Sequence, residues 1–138
     1  MSDPTIIQPD RLPDTREKGY SQARIQSGTL YVSGMSGRKR EADEDGNWVA
    51  AGPDIETQTR QAFENIEIIL DEVDKELTDI PKITSHIVDI QNNMEGHMRV
   101  IQEEIFPEEP YPCWTAVGSP PNWLEDLIVE VDVVVPLE

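Results

Sequence analysis

Leu127-Ile128-Val129-Glu130-Val131-Asp132-Val133-Val134-Val135 is the stretch on which the reading of the fold turns. Side chains alternate along a strand, so Val129, Val131, Val133 and Val135 line one face. That face needs an apolar layer to cover it. Glu130 and Asp132 lie on the other face, with Ile128 and Val134. The two carboxylates are roughly 6.6 Å apart along it. On spacing alone they read as the polar face of an antiparallel strand.

Working back from this strand, Pro120 and Pro121 break the chain, and Cys113 to Val117 reads as a shorter strand. Prolines 107, 110 and 112 end a helix predicted over about Asn93 to Ile105. Its apolar stripe is Met94, His97 or Met98, Ile101 and Ile105. Gly96 inside it costs about 1 kcal/mol relative to alanine. Lys82 to Ile90 carries β-branched residues without a helical stripe and reads as a strand. The strongest periodicity lies earlier. Ile55, Thr59, Ala62, Phe63, Ile66, Ile69, Leu70, Val73 and Leu77 recur at steps of three and four, predicting a helix over about Ile55 to Leu77. Asp54 is its expected N-cap. Ala23–Gln26 and Thr29–Ser33 around Ser27-Gly28 read as a hairpin. The order β-β-α-β-α-β-β, with two helices on one face of a sheet, is an α+β sandwich. Residues 1–18 hold three of the eleven prolines and read as an N-terminal arm, leaving 19–138 as a single domain.

The chain has 138 residues, near the commonest domain size. No run approaches the roughly 20 apolar residues of a membrane helix. The start Met1-Ser2-Asp3-Pro4 lacks the character of a signal peptide, and the lone Cys113 can form no internal disulfide. A cytoplasmic location is expected. With 28 acidic residues against 11 basic ones the net charge is −17. Such a surface repels phosphate backbones, so no nucleic-acid partner is expected. It also suits high salt, where the screening length falls to roughly 3 Å at 1 M; an ordinary acidic protein is the alternative. Arg38-Lys39-Arg40, followed by Glu41-Ala42-Asp43-Glu44-Asp45, nearly cancels in charge and reads as a solvated loop within Ser36–Asn47.

Pro112-Cys113-Trp114-Thr115-Ala116-Val117 and the last strand, taken with Tyr20-Ser21-Gln22-Ala23, Tyr31-Val32-Ser33-Gly34 and Gln58-Thr59-Arg60-Gln61-Ala62-Phe63-Glu64-Asn65-Ile66, resemble the RidA/YjgF family. The resemblance runs from about Gly19 to the C-terminus. It implies a chorismate-mutase-like fold, a homotrimer with clefts between subunits, and hydrolysis of reactive imines or enamines. It also implies that Tyr20 is a pocket tyrosine, that the backbone at Ser33 and Gly34 lines the cleft, and that Glu130 orients or activates the attacking water. That chemistry needs a group to accept the water's proton, and burial in a cleft makes a carboxylate a better base.

One position departs from the pattern. The family's deaminases carry the arginine of a Pro-x-Arg-Ser/Thr segment where this chain has Trp114. A guanidinium fork grips a carboxylate through two charge-assisted bonds, whereas indole offers one N–H and no charge. Trp114 could stack on a flat ligand or pack in a core or an interface. Arg99 could supply the missing charge from another wall; its simpler role is an ion pair with Glu95 or Glu103 on the same helix. Cys113 reads as a buried structural thiol. His86 and His97 show no metal-ligand spacing, so no metal and no cofactor are expected.

Two classes of function remain open. One is a hydrolase of a small imine or enamine, supported by Tyr20, Gly34 and Glu130. The other is a non-catalytic sensor or carrier that keeps the cleft and binds a small molecule, favoured by Trp114. An endoribonuclease, an activity attributed to some relatives, fits poorly with the charge.

Overall fold

In a computed structural model the described residues are 4–39, 49–121 and 126–138. The charged loop expected over Ser36–Asn47 falls outside them from residue 40 onward. The elements run β1 (Thr5–Ile7), β2 (Ala23–Gln26), β3 (Thr29–Ser36), α1 (Ile55–Asp71), β4 (Lys82–Val88), α2 (Ile90–Val100), β5 (Cys113–Ser119) and β6 (Val129–Pro136). The strands form one sheet in the order β1-β2-β3-β6-β4-β5. β4 and β5 are parallel and every other pair is antiparallel. Both helices cover one face. The chain is thus the expected α+β sandwich, with one strand more. β1, within the proline-rich lead-in, pairs with β2 along Thr5–Ile7.

The valine face of β6 behaves as its alternation requires. Val129, Val131, Val133 and Val135 are buried, and Glu130 and Asp132 lie on the opposite face. Beneath the helices, Phe63, Ile66, Ile69 and Leu70 of α1 are fully buried with Ile83 and Ile87 of β4. Asp54 caps α1, its Oδ2 accepting from the Thr57 backbone N–H at 2.9 Å. That bond holds the Asp54 carboxyl below the usual carboxylate range.

Two helix boundaries differ from expectation. α1 ends at Asp71, although the apolar stripe continues to Leu77. Asp74 takes a left-handed conformation (φ 56°), which aspartate tolerates. The Lys75 N–H then returns to the Leu70 carbonyl and closes the helix. Val73 and Leu77 still pack against the core, Val73 from a turn and Leu77 from a short 3-10 helix. α2 begins at Ile90, and a wider π-type turn over Ile101–Ile105 prolongs it. Gly96 has a packing reason: a Cβ there would stand 2.7 Å from Ile55 Cγ2, so its absence lets α2 approach the start of α1.

Among the described residues no helix is long and apolar enough to cross a membrane. The net charge of −17 gives a first prediction. Between low salt and molar KCl the melting temperature should rise by about 5 °C or more, roughly 1 kcal/mol for a domain of this size, as carboxylate repulsion is screened. A flat melting temperature would identify an ordinary acidic protein.

Candidate functional site

A cleft of about 440 Å³ opens where the N-terminal segment crosses the end of β3. It gathers Tyr20, Ser33, Gly34 and Glu130, four residues named from sequence, together with Leu12, Gln22, Arg38 and Asn65. Its origin is a break in strand register. β3 and β6 pair Val32 with Val133 and then Met35 with Val131, so β3 spends three residues where β6 spends two. This bulge at Ser33-Gly34 re-aims the chain beside Glu130.

Gly34 leaves the space that Glu130 occupies. A Cβ on residue 34 would lie 1.9 Å from Glu130 Oε1 and 2.6 Å from its Cδ. The carboxylate therefore rests directly over the Gly34 backbone. The walls are fixed by hydrogen bonds. Ser33 Oγ donates to the Ser21 carbonyl at 2.6 Å, and the Ser33 N–H donates to the Gln22 carbonyl at 2.9 Å. Gln22 Nε2 reaches the Pro13 carbonyl, and Thr15 Oγ1 donates to the Tyr20 carbonyl, both at 2.8 Å. Tyr20 keeps a half-exposed ring at the rim.

Trp114 and Arg99 lie elsewhere in the protomer. Trp114 belongs to the row Trp114–Ile83–Val133 across β5, β4 and β6, and so faces the helices. Glu130 faces the other way, so one sheet separates the two side chains. Trp114 lines a separate hollow of about 380 Å³ with Ile101, Phe106 and Tyr111. Its Nε1 donates to Ser85 Oγ at 3.0 Å. Ser85 also meets His97 Nε2 at 2.8 Å, and His97 Nδ1 meets Thr59 Oγ1 at 2.8 Å. Thr59, Ser85 and His97 are buried, and burial pushes His97 down to about 4.

Arg99 donates to Glu56 on α1 at 2.5 Å, rather than to Glu95 or Glu103 on its own helix. Cys113 is exposed, which corrects the expectation of a buried thiol. Because Trp114 faces inward on an edge strand, its neighbour must face out.

Sequence reasoning missed Arg38 and His86. His86 stands directly opposite Glu130 in the β4–β6 register, and its Nε2 lies 3.1 Å from Asp132 Oδ2. In sequence Arg38 opens the run Arg38-Lys39-Arg40 and reads as part of a solvated loop. Strand alternation carried two residues past Ser36 would have placed it with Gly34 on the Glu130 side.

A model of the family Endoribonuclease L-PSP matches residues 13–136. The RutC family protein YjgH of Escherichia coli is 37% identical over 118 residues, covering 86% of this chain and 82% of its own. A solved structure of protein YjgH superposes with a TM-score of 0.77 at 35% identity, covering 96% of this chain and 95% of that one. YyfA of Yersinia pestis, a Rid family protein of unknown function, superposes with a TM-score of 0.80 at 26% identity, covering 97% and 99%. Fold and sequence together place this chain in the RidA/YjgF family, the family described by the Endoribonuclease L-PSP model.

Proposed function

We infer that this protein binds a small molecule in the Tyr20–Glu130 cleft and hydrolyses an imine or enamine there. The observation that carries the reading is the Glu130 carboxylate lying over the Gly34 backbone inside that cleft. Water adds to the C=N carbon as Glu130 takes one of its protons; Glu130 returns that proton to the nitrogen, and as the C–N bond breaks the hydroxyl gives up its own proton, leaving a carbonyl product and ammonia. No cofactor enters this scheme.

The working unit is a homotrimer. Its support is the uncovered face of the sheet, where Tyr31 and Val134 are paired neighbours, 50% and 38% exposed. A sheet face with large apolar groups and no second layer calls for a partner. In such an assembly the edge strand β5 of a neighbour is what would bring Trp114 to the cleft. There the indole cannot hold a substrate carboxylate as a guanidinium would. Losing that charge-assisted bond corresponds to roughly 10- to 150-fold in rate. A non-catalytic carrier of the same fold is the second reading, favoured by the same tryptophan.

The test combines light scattering with turnover. A mass near three times 15.6 kDa is expected. Imines generated in situ should release ammonia faster with the protein than without, 2-iminopropanoate and 2-iminobutanoate being poor substrates improved by Trp114→Arg. A monomer would remove the intersubunit cleft. A trimer inert toward every imine, with or without a carboxylate, would leave the carrier.

A further inference from the structure

We propose that Arg38 is the anion-binding residue of this cleft, and that the ligand carries a carboxylate away from its reacting carbon. Among the described residues lining the cleft, Arg38 is the one cation and Glu130 the one anion. Four of the six described arginines, Arg11, Arg16, Arg60 and Arg99, each hold a carboxylate. Arg24 is bonded to Gln26. Arg38 has no ion pair among the described residues, and its Nε is buried there without a hydrogen-bond partner. A buried guanidinium nitrogen left unpaired is costly, and a shift of the Arg38 side chain toward a carboxylate in the cleft would relieve that cost.

The backbone beneath Arg38 is held in place. Asn65 Nδ2, from buried Asn65 on α1, donates to the Ser36 carbonyl at 3.1 Å and the Arg38 carbonyl at 2.9 Å. Arg38 also bridges to Ala50, and the flanking bonds Lys39 N–H to the Val49 carbonyl and Ala51 N–H to the Gly37 carbonyl measure 2.7 and 2.8 Å. Ser36 is the direct partner of Glu130. Arg38 lies two residues further on, roughly 6 to 7 Å along an extended chain. Anion and reacting carbon would therefore occupy different ends of one ligand. In 2-imino acids, by contrast, the carboxylate sits on the reacting carbon itself.

The inference rests on the cleft assignment above, but its test does not depend on turnover. Pentanoate and its neutral isostere pentanamide are titrated into the full chain, followed by NMR at the arginine Nε–H resonances. Pentanoate should shift the Arg38 signal and bind at least tenfold more tightly than pentanamide. Arg38→Gln should abolish that preference, with pentanamide binding and the spectrum outside the cleft unchanged; Arg38→Lys should restore part of it. Equal binding of the two probes, or an undiminished preference in Arg38→Gln, would overturn the proposal. A protein that keeps the Arg38-dependent preference but hydrolyses no imine retains the anion site and loses the enzymatic reading.

Discussion

Glu130→Gln is expected to lower imine hydrolysis by about 10²- to 10⁴-fold, the usual contribution of a positioned general base. The substitution keeps the size and hydrogen-bonding outline of the side chain and removes only its ability to take a proton. Little stability is at stake, because Glu130 is half-buried and enters no ion pair among the described residues. Gly34→Ala approaches the same carboxylate by another route. The added Cβ would meet Glu130 Oε1, Cδ and Cγ at 1.9, 2.6 and 2.8 Å, so the side chain must swing away. Turnover should fall through loss of position rather than loss of charge. If both changes act on one event, the double variant should be no slower than Glu130→Gln alone. Turnover of Glu130→Gln within threefold of the unmodified chain would show that another group takes the proton, and His86, directly opposite in the register, would be the first to examine.

The second large effect concerns acid. Trp114 Nε1 can only donate, so Ser85 Oγ accepts from it and its own hydrogen is best placed on His97 Nε2. His97 Nδ1–H then donates to Thr59 Oγ1, which assigns the neutral tautomer from the bonding network. Protonation would put a hydrogen on Nε2, facing a hydroxyl already donating to it, and would place a charge in the core. His97 falls from 6.5 to about 4 through burial. The folded state thus disfavours the cation, while the unfolded chain takes it near 6.5. Stability from neutral His97 is complete above pH 6.5 and is lost progressively as pH falls to about 4. The total is about 3 kcal/mol at 1.36 kcal/mol per unit. Relief of carboxylate repulsion on acidification acts in the opposite direction, so the comparison must be made against His97→Gln. Urea unfolding at pH 7.5 and 4.5 should show a drop in the unmodified chain that is about 2 to 3 kcal/mol larger than in the variant, most of the full loss. Equal pH dependence in the two proteins would remove His97 as the acid-sensitive group.

The same buried chain explains why a tryptophan is held at position 114. Thr59 on α1, His97 on α2 and Ser85 on β4 meet the indole of β5, so one hydrogen-bonded line ties both helices to two strands. Within the protomer Trp114 is partly buried against the core, its ring 5.9 Å from that of His97 and tilted by 52°.

What the sequence by itself determined is whatever repeats locally. The alternation of β6 sorted its valines from Glu130 and Asp132, the three-and-four spacing of α1 marked its buried face, and Asp54 marked its start. These patterns depend on neighbours within one or two turns or pleats, so they can be read without knowing the partner. The quoted segments likewise sufficed to recognise the family. The tertiary structure decided everything that depends on register between distant strands. Whether Thr5–Ile7 would join a sheet turned on β2 offering an open edge. Where α1 stopped turned on Asp74 reversing the chain under the core, although the apolar stripe ran on. The bulge at Ser33-Gly34 exists only relative to β6, some hundred residues away, and it brings Gly34 against Glu130 and opens the cleft in which Arg38 stands. Trp114 and Glu130, both read from sequence as one pocket, fall on opposite faces of a sheet in the protomer because that side is set by strand pairing, which no local pattern records.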